Sequence, residues 1–88
     1  MLRETSAGGS LTLELGQSFA PEDAARIHEL IEGAAPGTSV EIDFRRVREC
    51  QDHSLALLAK DLVASGDHVA VRGMSKHQQR LLGYFGVS

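Results

Sequence analysis

The chain has 88 residues, a net charge of -3 with acidic and basic side chains interspersed, and one cysteine. That length suits one domain, residues 1–88, burying about 60 per cent of the surface its unfolded form exposes, so modest stability is expected. The charge balance gives no general attraction to nucleic acid or membrane surfaces, the single cysteine excludes an internal disulfide, and no apolar run approaches the ~18 to 20 residues of a membrane span. No secretory leader pattern is recognisable, and a reducing cytoplasm is the expected location.

In chain order, Ser6-Ala7-Gly8-Gly9-Ser10 is a turn signal between a short first strand within 1–5 and the alternating Leu11, Leu13 and Leu15, so a hairpin is expected. The first strand is poor in apolar residues, which leaves it open to fraying or to pairing with another molecule. Gly16-Gln17-Ser18-Phe19 leads to Pro21, Glu22 and Asp23, a helix start in which proline suits the first turn and the two acids suit its positive end. Ala24, Ile27, Leu30, Ile31 and Ala34 then form one apolar stripe, closed by Pro36 and Gly37, with His28 beside the stripe at the surface or its boundary.

Val40, Ile42 and Phe44 alternate with Glu41 and Asp43, which predicts a strand with one face in the core, ending near Arg45. Arg45, Arg46 and Arg48 follow, so this connector is expected at the surface with Val47 tucked inward. Asp52 or Ser54 can cap the next helix, expected from about Ser54 to Ala64 with Leu55, Leu58 and Leu62 inward, Ala59 and Val63 widening that face, and Lys60 and Asp61 in water. Ser65-Gly66-Asp67 breaks it before the strand His68–Arg72. Ser75 is a candidate cap for a last helix with Gln78, Gln79 and Arg80 exposed, Leu81 and Leu82 buried, Tyr84 and Phe85 packed at its end, and Gly86 as the stop. The resulting order of strand, strand, helix, strand, helix, strand, helix predicts an α/β domain with a mixed sheet of about four strands covered by about three helices, crossed by right-handed βαβ units.

Little in the chain reads as catalytic machinery. Cys50 and His53 are half a metal site at best and no spacing gathers four ligands, so neither a metal nor another cofactor is expected. Asp52-His53-Ser54 holds the residue types of a hydrolase triad, but neighbours at a helix start diverge and cannot form the relay. The glycines match no phosphate-cradling pattern.

The run Asp43-Phe44-Arg45-Arg46-Val47-Arg48-Glu49-Cys50-Gln51-Asp52-His53-Ser54-Leu55 resembles the segment of STAS domains (sulphate transporter and anti-sigma-factor antagonist) that ends in Asp-Ser-Ser-Gly-Leu. Gly66, the stretch Val69 to Ser75, Leu81-Leu82 with Gly86-Val87, and the entry from Gly16 to Phe19 are similar to further parts of that family, so the resemblance spans nearly the whole chain. It implies a STAS-like α/β fold and a non-catalytic regulatory module that binds another protein, either an anti-sigma-type kinase or a transporter ATPase of a lipid-transport system. Docking would use the 45–55 connector and helix start, with Arg45, Arg46, Arg48, Asp52, His53 and Ser54 as partner-binding residues. In the gapless register Gln51 stands at the family aspartate, Asp52 at the phospho-acceptor serine, His53 at the second serine and Ser54 at the glycine. Asp52 cannot take a phosphate from a serine kinase, which implies a protein not switched at the usual position. The resemblance also implies a chain that stops before the family's final strand and helix. The alternatives are a small ligand-binding protein or enzyme using His53 or Cys50, and a homo-oligomer formed through the edge of the first strand.

Overall fold

The computed structural model describes residues 2–87. Gly8 and Gly9 have φ of 49° and 85°, the paired positive values that a two-residue hairpin loop requires. They join β1 (Leu2–Ala7) to β2 (Ser10–Leu15) in an antiparallel register running from Leu2 opposite Leu15 to Ala7 opposite Ser10. Every residue of the first strand is therefore paired, despite its poverty in apolar side chains.

After β3 (Ser18–Phe19) the chain forms α1 (Pro21–Gly33), β4 (Ser39–Asp43), β5 (Glu49–Cys50), α2 (Asp52–Ser65), a 3-10 turn over Gly66–His68, β6 (Val69–Arg72) and α3 (Lys76–Tyr84). The sheet order is β1-β2-β4-β6, with β2, β4 and β6 parallel. Parallel neighbours need long crossovers, which α1 and α2 provide. The expected mixed four-stranded sheet with three helices is what forms.

Period-two alternation sends Leu13, Leu15, Val40, Ile42 and Val69 to the helix side, where Ala24, Ile27, Leu55, Leu58, Ala59, Leu62 and Leu82 complete the core. The opposite residues form charged cross-strand rows. Arg3, Glu14, Asp43 and Arg72 stand in register across all four strands, and Arg72 Nη1 donates to Glu41 Oε1 at 2.7 Å.

Several expectations are corrected. Gln78 is buried rather than exposed, because it and Ser75 cap α3 reciprocally: Gln78 N–H donates to Ser75 Oγ at 3.1 Å and Ser75 N–H to Gln78 Oε1 at 2.9 Å. Tyr84 and Phe85 do not close the core; they are 77% and 38% exposed. Val63 is 60% exposed, since the stripe of α2 turns away from it toward Leu62. His68 belongs to the 3-10 turn, so the last strand begins at Val69.

Asp61, expected in water, instead meets α1: its Oδ1 lies 2.6 Å from His28 Nδ1, with the Asp61 side chain only 13% exposed. This contact, with Glu32 and Glu29 adding charge, holds the histidine above its ordinary value of 6.5. A raised folded value means stabilisation that is complete below the unfolded pKa and lost as pH rises through the folded one. The stability difference between wild type and His28→Gln, read by urea unfolding, is expected to be fully present below pH 6.5 and to shrink as pH rises above it. A difference independent of pH would remove the interhelical pair as its source.

Candidate functional site

The 45–55 connector begins where β4 ends. Asp43 is buried, and its carboxylate accepts from Arg45 N–H at 2.8 Å and from Arg45 Nε at 3.1 and 2.9 Å, with Arg45 Nη2 at 2.8 Å from Oδ2. These hydrogen bonds from the guanidinium hold the Asp43 carboxyl below the usual range against the opposing effect of burial. Arg45 is thereby committed to its own strand. Gly73, at φ 77°, lies directly against it: a Cβ there would meet Arg45 Cγ and lie 2.9 Å from Arg45 N.

Beyond Arg45 the connector is stitched to the segment before α1. Arg48 and Glu49 N–H donate to Gln17 O at 2.7 and 2.9 Å, Gln51 N–H donates to Phe19 O at 3.4 Å, and β5 pairs in parallel with β3. Period-two strand signals cannot reveal a pair two residues long, so the sequence offered no sign of it. Under the connector, Phe19 and Phe44 meet edge to face with ring centres 5.1 Å apart, and Val47 packs against the core from a half-buried position. Arg46 and Arg48 are exposed and make no ion pair among the described residues.

The helix start differs from expectation. α2 begins at Asp52, and the N-cap position is Gln51, whose side chain makes no capping bond. Neither Asp52 nor Ser54 is the cap. Asp52 is the first helical residue, exposed at the positive end of the helix, and His53 beside it is also exposed. Ser54 is 0% exposed, and its Oγ has no hydrogen-bond partner among the described residues. It lies inside the protein and offers nothing to a partner at the surface.

A buried hydroxyl without a partner loses its hydration and gains nothing in return. Ser54→Ala is therefore expected to stabilise the protein by about 1 kcal/mol or more, which raises the melting temperature by roughly 4–8 °C per kcal/mol in a domain of this size. A lower melting temperature would show that the hydroxyl is satisfied.

Cys50 is half-buried, and burial, helped by the Asp52 charge, pushes its thiol up to about 11. So little thiolate at neutral pH makes a poor nucleophile. No hydrogen bond or ion pair joins Cys50 to His53, and no group of three or more His, Cys, Asp or Glu side chains is gathered among the described residues. No described helix is long and apolar enough to cross a membrane.

The six residues expected to bind a partner thus divide. Arg46, Arg48, Asp52 and His53 are on the surface along the connector and the first turn of α2, Arg45 is surface-exposed but tied to Asp43, and Ser54 is in the core.

A search of curated proteins returned no match. A family profile described as "Mlab, STAS domain" matches residues 2–88. STAS domains in general mediate protein–protein interactions, which accords with an exposed ridge of charge. The α-helical layer over a mixed sheet, the connector leading into α2 and a match along nearly the entire sequence place this chain in the STAS domain family.

Proposed function

We propose that this protein is a non-catalytic regulatory module that docks on a protein partner through the ridge formed by Arg46, Arg48, Asp52 and His53. The observation that carries the reading is that two exposed arginines, with no ion pair among the described residues, stand on a connector whose backbone is fixed at both ends, by Arg45–Asp43 and by the β3–β5 pairing. Such charges act mainly on encounter, raising the association rate in a way that salt weakens.

The module is not switched by serine phosphorylation at this helix start. Asp52, at the acceptor position, has no hydroxyl, and Ser54 is fully buried, so a kinase would have to unwind the first turn of α2 to reach it. Asp52 instead supplies a constant single charge where a phosphoserine would carry about -1.5 to -2, which suits one permanent binding state.

The two partner classes implied by the resemblance, an anti-sigma-type kinase and a transporter ATPase, are separated by measuring association kinetics against one of each from the same genome. The true partner is expected to associate several-fold more slowly with the Arg46→Ala/Arg48→Ala double variant at low salt, the gap narrowing as salt rises. Equal rates for variant and wild type at low salt would remove the connector from the interface. Efficient phosphorylation of Ser54, found by mass spectrometry after incubation with the kinase, would end the single-state reading.

A further inference from the structure

The parallel strands β2 and β4 end side by side, at Leu15 and Asp43, and the carboxyl ends of such strands are where open α/β sheets bind their ligands. A recess of about 290 Å³ opens there, lined by Glu14, Leu15, Asp43, Arg45 and Arg46. It stands at the lower limit of ligand pockets, roughly 300–1,000 Å³, so it suits a small molecule.

Four of the five lining residues are charged, two acidic and two basic, so the lining as a whole is neutral. Asp43 and Arg45 are engaged with each other and form a fixed wall. Glu14 is half-buried and Arg46 exposed, and neither makes an ion pair among the described residues, with each other included. Asp43 is the main cause that holds the Arg45 guanidinium above its ordinary value, and the more distant charge of Glu14 adds to it. Glu14 therefore keeps its carboxylate, and Arg46 its guanidinium, open to a ligand.

Opposite charges that line one recess without pairing select what can stand between them. A lone cation would be drawn to Glu14 and repelled by Arg45 and Arg46, and a lone anion would be drawn to Arg46 and repelled by Glu14. A molecule neutral overall, with an ammonium and a carboxylate on neighbouring atoms, meets both groups with attraction. Its ammonium donates to Glu14 and its carboxylate accepts from the planar fork of Arg46, each through charge-assisted hydrogen bonds.

We propose that this recess is a binding site for a small zwitterion of the α-amino acid class, held by Glu14 at its ammonium and by Arg46 at its carboxylate. The site goes beyond the docking reading and needs no protein partner, so either can fail without the other.

The test titrates the isotopically labelled full chain with L-alanine and, separately, with propionate and ethylamine, which keep only its carboxylate or only its ammonium, while amide signals are followed residue by residue. Alanine is expected to give saturable shifts at Glu14, Leu15, Asp43, Arg45 and Arg46. Each fragment is expected to bind about tenfold more weakly or worse, since it lacks one charge-assisted contact. Glu14→Gln and Arg46→Gln are each expected to weaken alanine binding by about tenfold or more, with the signals of the helices unchanged. No saturable shift with alanine, fragments that bind as tightly as alanine, or undiminished binding in either variant would each overturn the proposal. Saturation by an end-capped lysine–aspartate dipeptide but not by alanine would overturn it in favour of a contact with side chains of a protein partner.

Discussion

Leu58→Ala is expected to remove ~2–5 kcal/mol of stability, the range for deleting a buried leucine side chain whose surroundings only partly close the gap. Leu58 is 0% exposed, in the middle of the helix that packs on both α1 and α3, so the cavity would open at the centre of the helical layer. Against a total of 5–15 kcal/mol for a typical domain this is a large fraction, and at the upper end much of the chain would be unfolded at room temperature. Urea unfolding should show a lower midpoint with an unchanged slope, since the loss is of packing and not of compactness. A midpoint equal to that of wild type would falsify the placement of α2 over the sheet.

Gly73→Ala is expected to cost about 2–4 kcal/mol, from two sources that reinforce each other. Its φ of 77° lies where L-residues other than glycine are strained. Its Cβ would also meet Arg45, including the backbone N at 2.9 Å, which cannot swing aside as a side chain could. Either the turn after β6 or the start of the connector must move. Because Arg45 also holds Asp43, the variant should disturb the amide signals of Asp43 and Arg45 together with its own neighbours. Gly66→Ala, where a Cβ meets nothing within 4 Å and only the φ of 61° opposes it, should cost less. Equal losses in the two variants would mean that backbone strain alone is responsible and that the contact with Arg45 is slack.

The contrast between these residues explains what the sequence could and could not tell. Leu13, Leu15, Val40, Ile42, Leu55 and Leu58 announce their burial through period two or period 3.6, because burial of one face is what creates those periods. Val63 sits at the margin of its stripe, and periodicity does not say where a stripe ends. Gln78 reads as polar and therefore exposed, yet a side chain that satisfies a cap can be buried at no loss of hydrogen bonding. At the site, three arginines close together were legible as a charged connector. The separation of Arg45 from Arg46 and Arg48 was not, because it depends on which of them folds back onto Asp43 and faces Gly73 across the sheet. Ser54 was misplaced for a related reason: with α2 starting at Asp52, Ser54 is no longer a cap but a residue of the first turn, four before Leu58 and therefore on the same buried face.

The stitching of Arg48, Glu49 and Gln51 to Gln17 and Phe19 has a further consequence for how docking would proceed. A free surface loop loses backbone freedom when a partner seizes it, at roughly 1–2 kcal/mol for each residue fixed. Here that freedom has already been surrendered during folding, since the connector is held by main-chain bonds to a second segment and by Arg45 at its entrance. Preorganised surfaces bind with little change of shape, and the association cost that remains is the loss of rigid-body motion and of side-chain freedom at the contact. If the ridge is the docking surface, it would meet a partner as a rigid body, with only the exposed Arg46 and Arg48 side chains left to order and no disorder-to-order step to slow the encounter.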